Sequence, residues 1–76
     1  MKELLEVIAK NLVDQPDAVS VTEKEGEKAT ILELRVAPED MGKVIGKQGR
    51  IAKAIRTVIR SAAIHENTHV VVDIVD

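Results

Sequence analysis

The sequence predicts an α+β domain whose elements run helix, strand, strand, helix, helix, strand, and three observations carry that prediction. Apolar residues recur at helical spacing within residues 2–14 and again within 50–64. Two alternating runs flank a charged stretch centred on Gly26, the pattern of an antiparallel hairpin. Two glycines, Gly46 and Gly49, stand three apart between two helical segments. With 76 residues the chain forms a single domain, residues 1–76, large enough for a small core and too small for a roomy catalytic cleft.

The first helix places Leu4, Leu5, Ile8 and Leu12 on one side, widened by Val7 and Val13, with Lys2, Glu6, Lys10 and Asn11 opposite. Pro16 ends it, because proline disfavours helical geometry in the residue before it. Val19 to Thr22 and Thr30 to Val36 are the hairpin strands, joined by the charged turn Glu23 to Lys28, with Leu32, Leu34 and Val36 on the core side. Pro38 sits at the first turn of a short helix that runs to Ile45, with acids at Glu39 and Asp40 suited to a helix N-terminus. Met41, Val44 and Ile45 are its buried face. The second helix of the pair spans Arg50 to Ile64. At about 100° per residue, Ile51, Ile55, Val58, Ile59 and Ala62 gather on one side and Lys53, Arg56 and Arg60 lie opposite. After a polar loop, His65 to Thr68, a last strand runs from His69 to Val75 with Val70, Val72 and Ile74 inward.

Composition excludes several functions. The chain has no Phe, Tyr or Trp, so nucleic-acid bases cannot be stacked on aromatic platforms. It has no cysteine, hence no disulfide, thiolate metal site or thiol nucleophile. No apolar run is long enough to span a bilayer and the N-terminus lacks a signal-peptide core, so a cytoplasmic protein without membrane association is expected. Net charge is −2, but the charges are segregated. Lys43, Lys47, Arg50, Lys53, Arg56 and Arg60 lie between Gly42 and Arg60 with no acid among them, whereas residues before Gly42 carry ten acids and five bases. A solvated helix face normally mixes both signs to form i,i+4 pairs. One basic stripe on an acidic body is instead the electrostatic footprint of a polyanion contact.

That stripe begins at Val44-Ile45-Gly46-Lys47-Gln48-Gly49-Arg50. Glycines three apart permit a sharp turn and positive φ, with no Cβ between backbone and ligand. A helix starting just behind them turns its free N–H groups toward an anion such as phosphate.

In this element order, the motif resembles a type II KH domain over essentially the whole chain. The run Gly46-Lys47-Gln48-Gly49-Arg50-Ile51-Ala52-Lys53-Ala54-Ile55-Arg56 is similar, more narrowly, to the small bacterial single-KH-domain RNA-binding proteins of the KhpA-like family. The resemblance implies a three-stranded mixed sheet with three helices on one face, the last strand parallel to its central neighbour. It also implies that single-stranded RNA, or single-stranded DNA, lies in a groove. One wall would be the helix pair and its loop, and the other the sheet edge and the His65–Thr68 loop. Val44, Ile45, Gly46, Lys47, Gln48, Gly49, Arg50 and Lys53 are the residues expected to carry binding. The expected role is that of a post-transcriptional regulator or RNA chaperone acting with a partner KH-containing protein. Ala52 departs from the many KH domains that carry a large aliphatic residue there, which makes a shallower groove wall.

Other chemistry fits less well. Gly42…Gly46-Lys47 has P-loop character but one residue too few between the glycines, and Gln48 stands where Ser or Thr should hold magnesium. His65 and His69 have no third strong ligand nearby, so no metal and no cofactor is expected. No carboxylate pair or Ser/His/Asp arrangement has recognisable spacing, and the chain is read as non-enzymatic. The rival from another class is a KH fold serving as a protein–protein module with residual nucleic-acid affinity. An acid inside the glycine loop would favour it, and Lys47 and Gln48 favour RNA. The long second helix adds one more expectation. Its apolar sector covers about half the circumference, more than the roughly 100° a helix on a sheet needs. The excess edge at Ala52, Ile59 and Ala63 is either covered by the first helix or free to pair, as a homodimer or as a heterodimer with another KH-containing protein.

Overall fold

The computed structural model describes residues 1–75. Helix α1 (Lys2–Leu12) is followed by strands β1 (Ser20–Glu25) and β2 (Thr30–Arg35), helices α2 (Met41–Ile45) and α3 (Arg50–His65), and strand β3 (Val70–Val75). Single 3-10 turns at Pro16–Ala18, Pro38–Asp40 and Lys47–Gly49 join them, the first two opening on the prolines that break the preceding segments. The sheet order is β1-β2-β3, with β1 antiparallel and β3 parallel to β2. Parallel pairing needs a crossover, and α2 and α3 supply it.

Register decides which side of the sheet is covered. Val21 pairs with Leu34, Leu32 with Val72 and Leu34 with Ile74, so the buried apolar positions of all three strands share one face. Leu5 and Ala9 of α1, Val44 of α2, and Ile55 and Ile59 of α3 pack there in one cluster with Val21, Leu32, Leu34 and Val72. Three helices therefore cover one face, and the other keeps Thr22, Lys24, Glu33 and Asp73 toward solvent. β1 runs on to Glu25, three residues past the expected strand end, because charged side chains on an edge hairpin remain solvated while Lys24 pairs with Glu33 at 3.4 Å. The turn contracts accordingly, closed by the Gly26 amide donating to the Ala29 carbonyl at 2.9 Å.

Two helix faces differ from expectation. In α1 the fully buried residues are Leu5 and Ala9, while Leu4 and Leu12 sit at the rim. In α3 the buried stripe is Ala52, Ile55, Ile59 and Ala63, whereas Val58, expected inside, is 48% exposed. The edge that was either to be covered by α1 or left free to pair is closed within the chain: Ala52, Ile59 and Ala63 are 3%, 0% and 1% exposed. The physical reason is the sharing of α3 between the sheet and α1. A helix touched on two sides buries a stripe set between them, and Leu5 and Ala9 join Ile55 and Ile59 in the same cluster. No helix among the described residues is long and apolar enough to cross a membrane.

Candidate nucleic-acid interface

α2 delivers the chain into Gly46, whose amide closes the helix on the Gly42 carbonyl at 2.8 Å. Gly46 then adopts φ 76°, ψ 174°, a region essentially restricted to glycine. A Cβ there would lie 2.5 Å from Cγ1 of Ile51, so the first turn of α3 packs directly on the glycine. Gln48 (φ 59°) and Gly49 (φ 72°) follow in the left-handed region, and Gly49 leads into α3 at Arg50. The Gly49 amide donates to Gly46 at 3.2 Å and the Arg50 amide to Lys47. Lys47 and Gln48 open the 3-10 turn Lys47–Gly49, where the first amides have no carbonyl partner within the turn itself. Amides so placed, just ahead of a sixteen-residue helix, have the geometry that suits an anion.

The side chains around this turn are solvent-facing. Lys47, Gln48, Arg50 and Lys53 are exposed, and Arg50 Nη2 donates to Gln48 Oε1 at 3.4 Å. Along α3 the exposed stripe continues through Arg56 and Arg60. None of Lys47, Arg50, Lys53, Arg56 or Arg60 forms an ion pair among the described residues, leaving five cations for a ligand. Ile45 is half-buried. Val44, expected to touch nucleic acid, is fully buried in the core. Its position two residues before Gly46 anchors the loop to the sheet, and it cannot reach a ligand.

Lys43 also leaves the stripe. Its Nζ lies 2.9 Å from Asp14 Oδ2 and 3.5 Å from Asp40 Oδ1. The hydrogen bond to Asp14, and the charge of the two carboxylates, hold its pKa above the usual lysine value against the effect of burial. Asp40 is the one buried acid, 1% exposed, and its Oδ2 accepts the Gln15 amide at 2.9 Å. Burial acts to raise its pKa, but donation from the Gln15 and Asp14 amides and the nearby Lys43 ammonium outweigh that and leave it below the ordinary carboxylate value. This latch ties the exit of α1 to the entry of α2 and so orients the helix pair. The Asp40–Lys43 spacing of i,i+3 was its only local signal in the sequence. Asp14 and Gln15 gave none.

The second wall is β3, one of the two edge strands of the sheet. Arg56 Nε donates to the Val72 carbonyl at 3.3 Å, bridging α3 to that edge. Beyond it a cavity of about 500 Å³ opens between the C-terminal half of α3 and β3, bordered by Arg60, Ile64 and Thr68. The His65–Thr68 loop is held by Asn67 at φ 58° and by both the amide and hydroxyl of Thr68 donating to the Ala63 carbonyl, at 2.9 and 3.2 Å. The groove thus runs from the glycine loop along the basic face of α3 to this cavity. Among the described residues no cluster of three potential metal ligands occurs.

The architecture has known counterparts. An Era variant from Aquifex aeolicus, solved as a crystal structure bound to GDP·AlF4−, aligns with a TM-score of 0.71 over 96% of this chain and 28% of its own, at 19% identity. At that identity the likeness is one of fold. Proteins named RNA-binding protein KhpA are similar along their whole length. That of Clostridium acetobutylicum is 72% identical over 99% of this chain and 100% of its own. That of Clostridium perfringens is 69% identical over the same shares. Residues 2–74 match the family described as KhpA/KhpB, KH domain. With a glycine loop between paired helices, a parallel third strand and full-length similarity of this degree, the chain belongs to the KhpA/KhpB KH-domain family.

Proposed function

We propose that this chain binds short single-stranded RNA in the groove beside Gly46-Lys47-Gln48-Gly49. The observation that carries the reading is the pairing of a glycine turn at a helix start with five cations that form no ion pair among the described residues, on a chain of net charge −2. Phosphates would meet the Lys47 and Gln48 amides, Arg50 and Lys53 would neutralise the neighbouring backbone, and Ile45 would lie under the bases. The relatives named as RNA-binding support the same reading. Binding rather than catalysis is the activity, in the cytoplasm, as a post-transcriptional regulator or RNA chaperone, with single-stranded DNA as an alternative ligand. Replacing Lys47 and Gln48 together with Asp tests it. Two anions would then face the phosphates, while Asp at position 48 tolerates the left-handed backbone. Affinity for a short single-stranded RNA should fall by more than about tenfold with little change in thermal midpoint, since like charges would oppose each other at close range. Unchanged affinity in the folded variant would overturn the loop's role.

A second reading is pairing with another KH-containing chain, another copy included. With Ala52, Ile59 and Ala63 buried, the exposed apolar positions α3 has left to offer are Ala54, Val58 and Ile64. Pairing there would leave the glycine loop free and raise RNA affinity through avidity. Light scattering of Val58→Glu against the wild type tests self-pairing. A wild type that is monomeric at high concentration removes the homodimer.

A further inference from the structure

We infer that Arg56 sets base preference at the centre of the groove, restricting it to bases that present two adjacent hydrogen-bond acceptors, cytosine (N3 and O2) or guanine (O6 and N7). The inference rests on the RNA-binding reading above and concerns what that site selects. Successive residues of a strand turn their N–H and C=O groups to opposite edges. The His69 carbonyl accepts from the Thr30 amide of β2 at 2.9 Å, so Val70 and Val72 turn theirs to the free edge. A bare edge would offer a base one donor and one acceptor at Val72, the complement of adenine's N1 and 6-amino group and equally of cytosine's N3 and 4-amino group. That acceptor is occupied here: Arg56 Nε donates to the Val72 carbonyl at 3.3 Å.

The remaining guanidinium N–H groups of Arg56 and the Val72 amide are then donors side by side, on the border of a cavity of about 500 Å³. That volume lies within the usual range of small-ligand sites, about 300–1,000 Å³. Arg60 adds further donors at the same border and Ile64 an apolar floor. Adenine would bring its amino group against these donors, and uracil its N3–H. Cytosine and guanine each present two acceptors in a row, which suits the fork of an arginine.

The test uses the full chain and four fluorescent single-stranded RNA probes, a short oligoadenylate and the same oligomer with a central cytosine, guanine or uracil. The cytosine and guanine probes should bind tighter than the other two by roughly 5- to 150-fold, the range expected of one good bidentate contact. Arg56→Met removes the fork and frees the Val72 carbonyl, so the advantage over adenine should disappear and the adenine probe should gain relative to the guanine and uracil probes. Arg56→Lys keeps the charge and most of the stem and should also lose the preference. Lys53→Met, which removes a cation that does not border this cavity, should weaken all four probes alike. Equal binding of the four probes by the wild type overturns the inference and leaves RNA binding standing. So does a uniform loss in both folded Arg56 variants. Binding of none of the probes by the wild type overturns the RNA-binding reading, and this inference with it.

Discussion

Gly46 and Gly49 look equivalent in the sequence, yet the structure makes them unequal, and alanine at each position measures the difference. At Gly49 the new Cβ would meet nothing within 4 Å. The cost there is that of placing an L-residue at φ 72°, ψ 15°, about 1–2 kcal/mol. At Gly46 the backbone sits at φ 76°, ψ 174°, which costs a non-glycine residue on the order of 1–3 kcal/mol. The new methyl would also lie 2.5, 2.8 and 2.9 Å from Cγ1, Cβ and Cδ1 of Ile51. Because Ile51 is β-branched and helical, its χ1 cannot swing the side chain clear. The first turn of α3 must move instead, an overpacking cost of about 1–3 kcal/mol. Gly46→Ala therefore loses about 2–6 kcal/mol, against a total stability of roughly 4–11 kcal/mol for a domain of this length. At about 4–8 °C per kcal/mol, Gly49→Ala should lower the thermal midpoint by about 4–16 °C and Gly46→Ala by more. The chain has no Trp or Tyr, so the assay is urea and thermal unfolding followed by far-ultraviolet circular dichroism. Equal losses for the two variants would refute the contact with Ile51, and a Gly46→Ala loss under about 1 kcal/mol would refute the backbone argument too.

Three further outcomes are expected. Ile59→Glu should yield an unfolded chain by circular dichroism, since its side chain is 0% exposed and an unpaired buried carboxylate is costly, whereas Val58→Glu should stay folded. Asp40, with its pKa lowered in the fold, contributes stability that is present above the ordinary carboxylate range and lost as pH falls through its folded value; thermal midpoints measured downward through about pH 4 should fall, and less steeply in Asp40→Asn. If about three phosphates are neutralised on a single strand, log K against log salt should slope about −2, with Arg50→Ala or Lys53→Ala reducing the slope by roughly 0.7. Lys43→Ala should leave that slope unchanged, because Asp14 and Asp40 already neutralise its ammonium.

Signals within a few residues of one another were legible in the sequence, and those set by contacts across the chain were not. Helices α1 and α3, the hairpin and the glycine turn follow from periodicity, turn residues and proline placement, which act locally. The basic stripe followed in the same way, as Lys53, Arg56 and Arg60 share a helix face by spacing alone. The inward direction of α3 did not. Its apolar sector spans about half the helix, and the choice of Ala52, Ile55, Ile59 and Ala63 over Ile51 and Val58 was made by the joint packing of the sheet and α1. The same limit governed charge. Lys43 counted as a member of the stripe until Asp14, far away in the chain, closed on it, and Arg56 was one more cation until the fold brought it to the Val72 carbonyl. Spacing along a segment is a property of the sequence, whereas the partner a side chain meets from another segment exists only once the core has brought the two together.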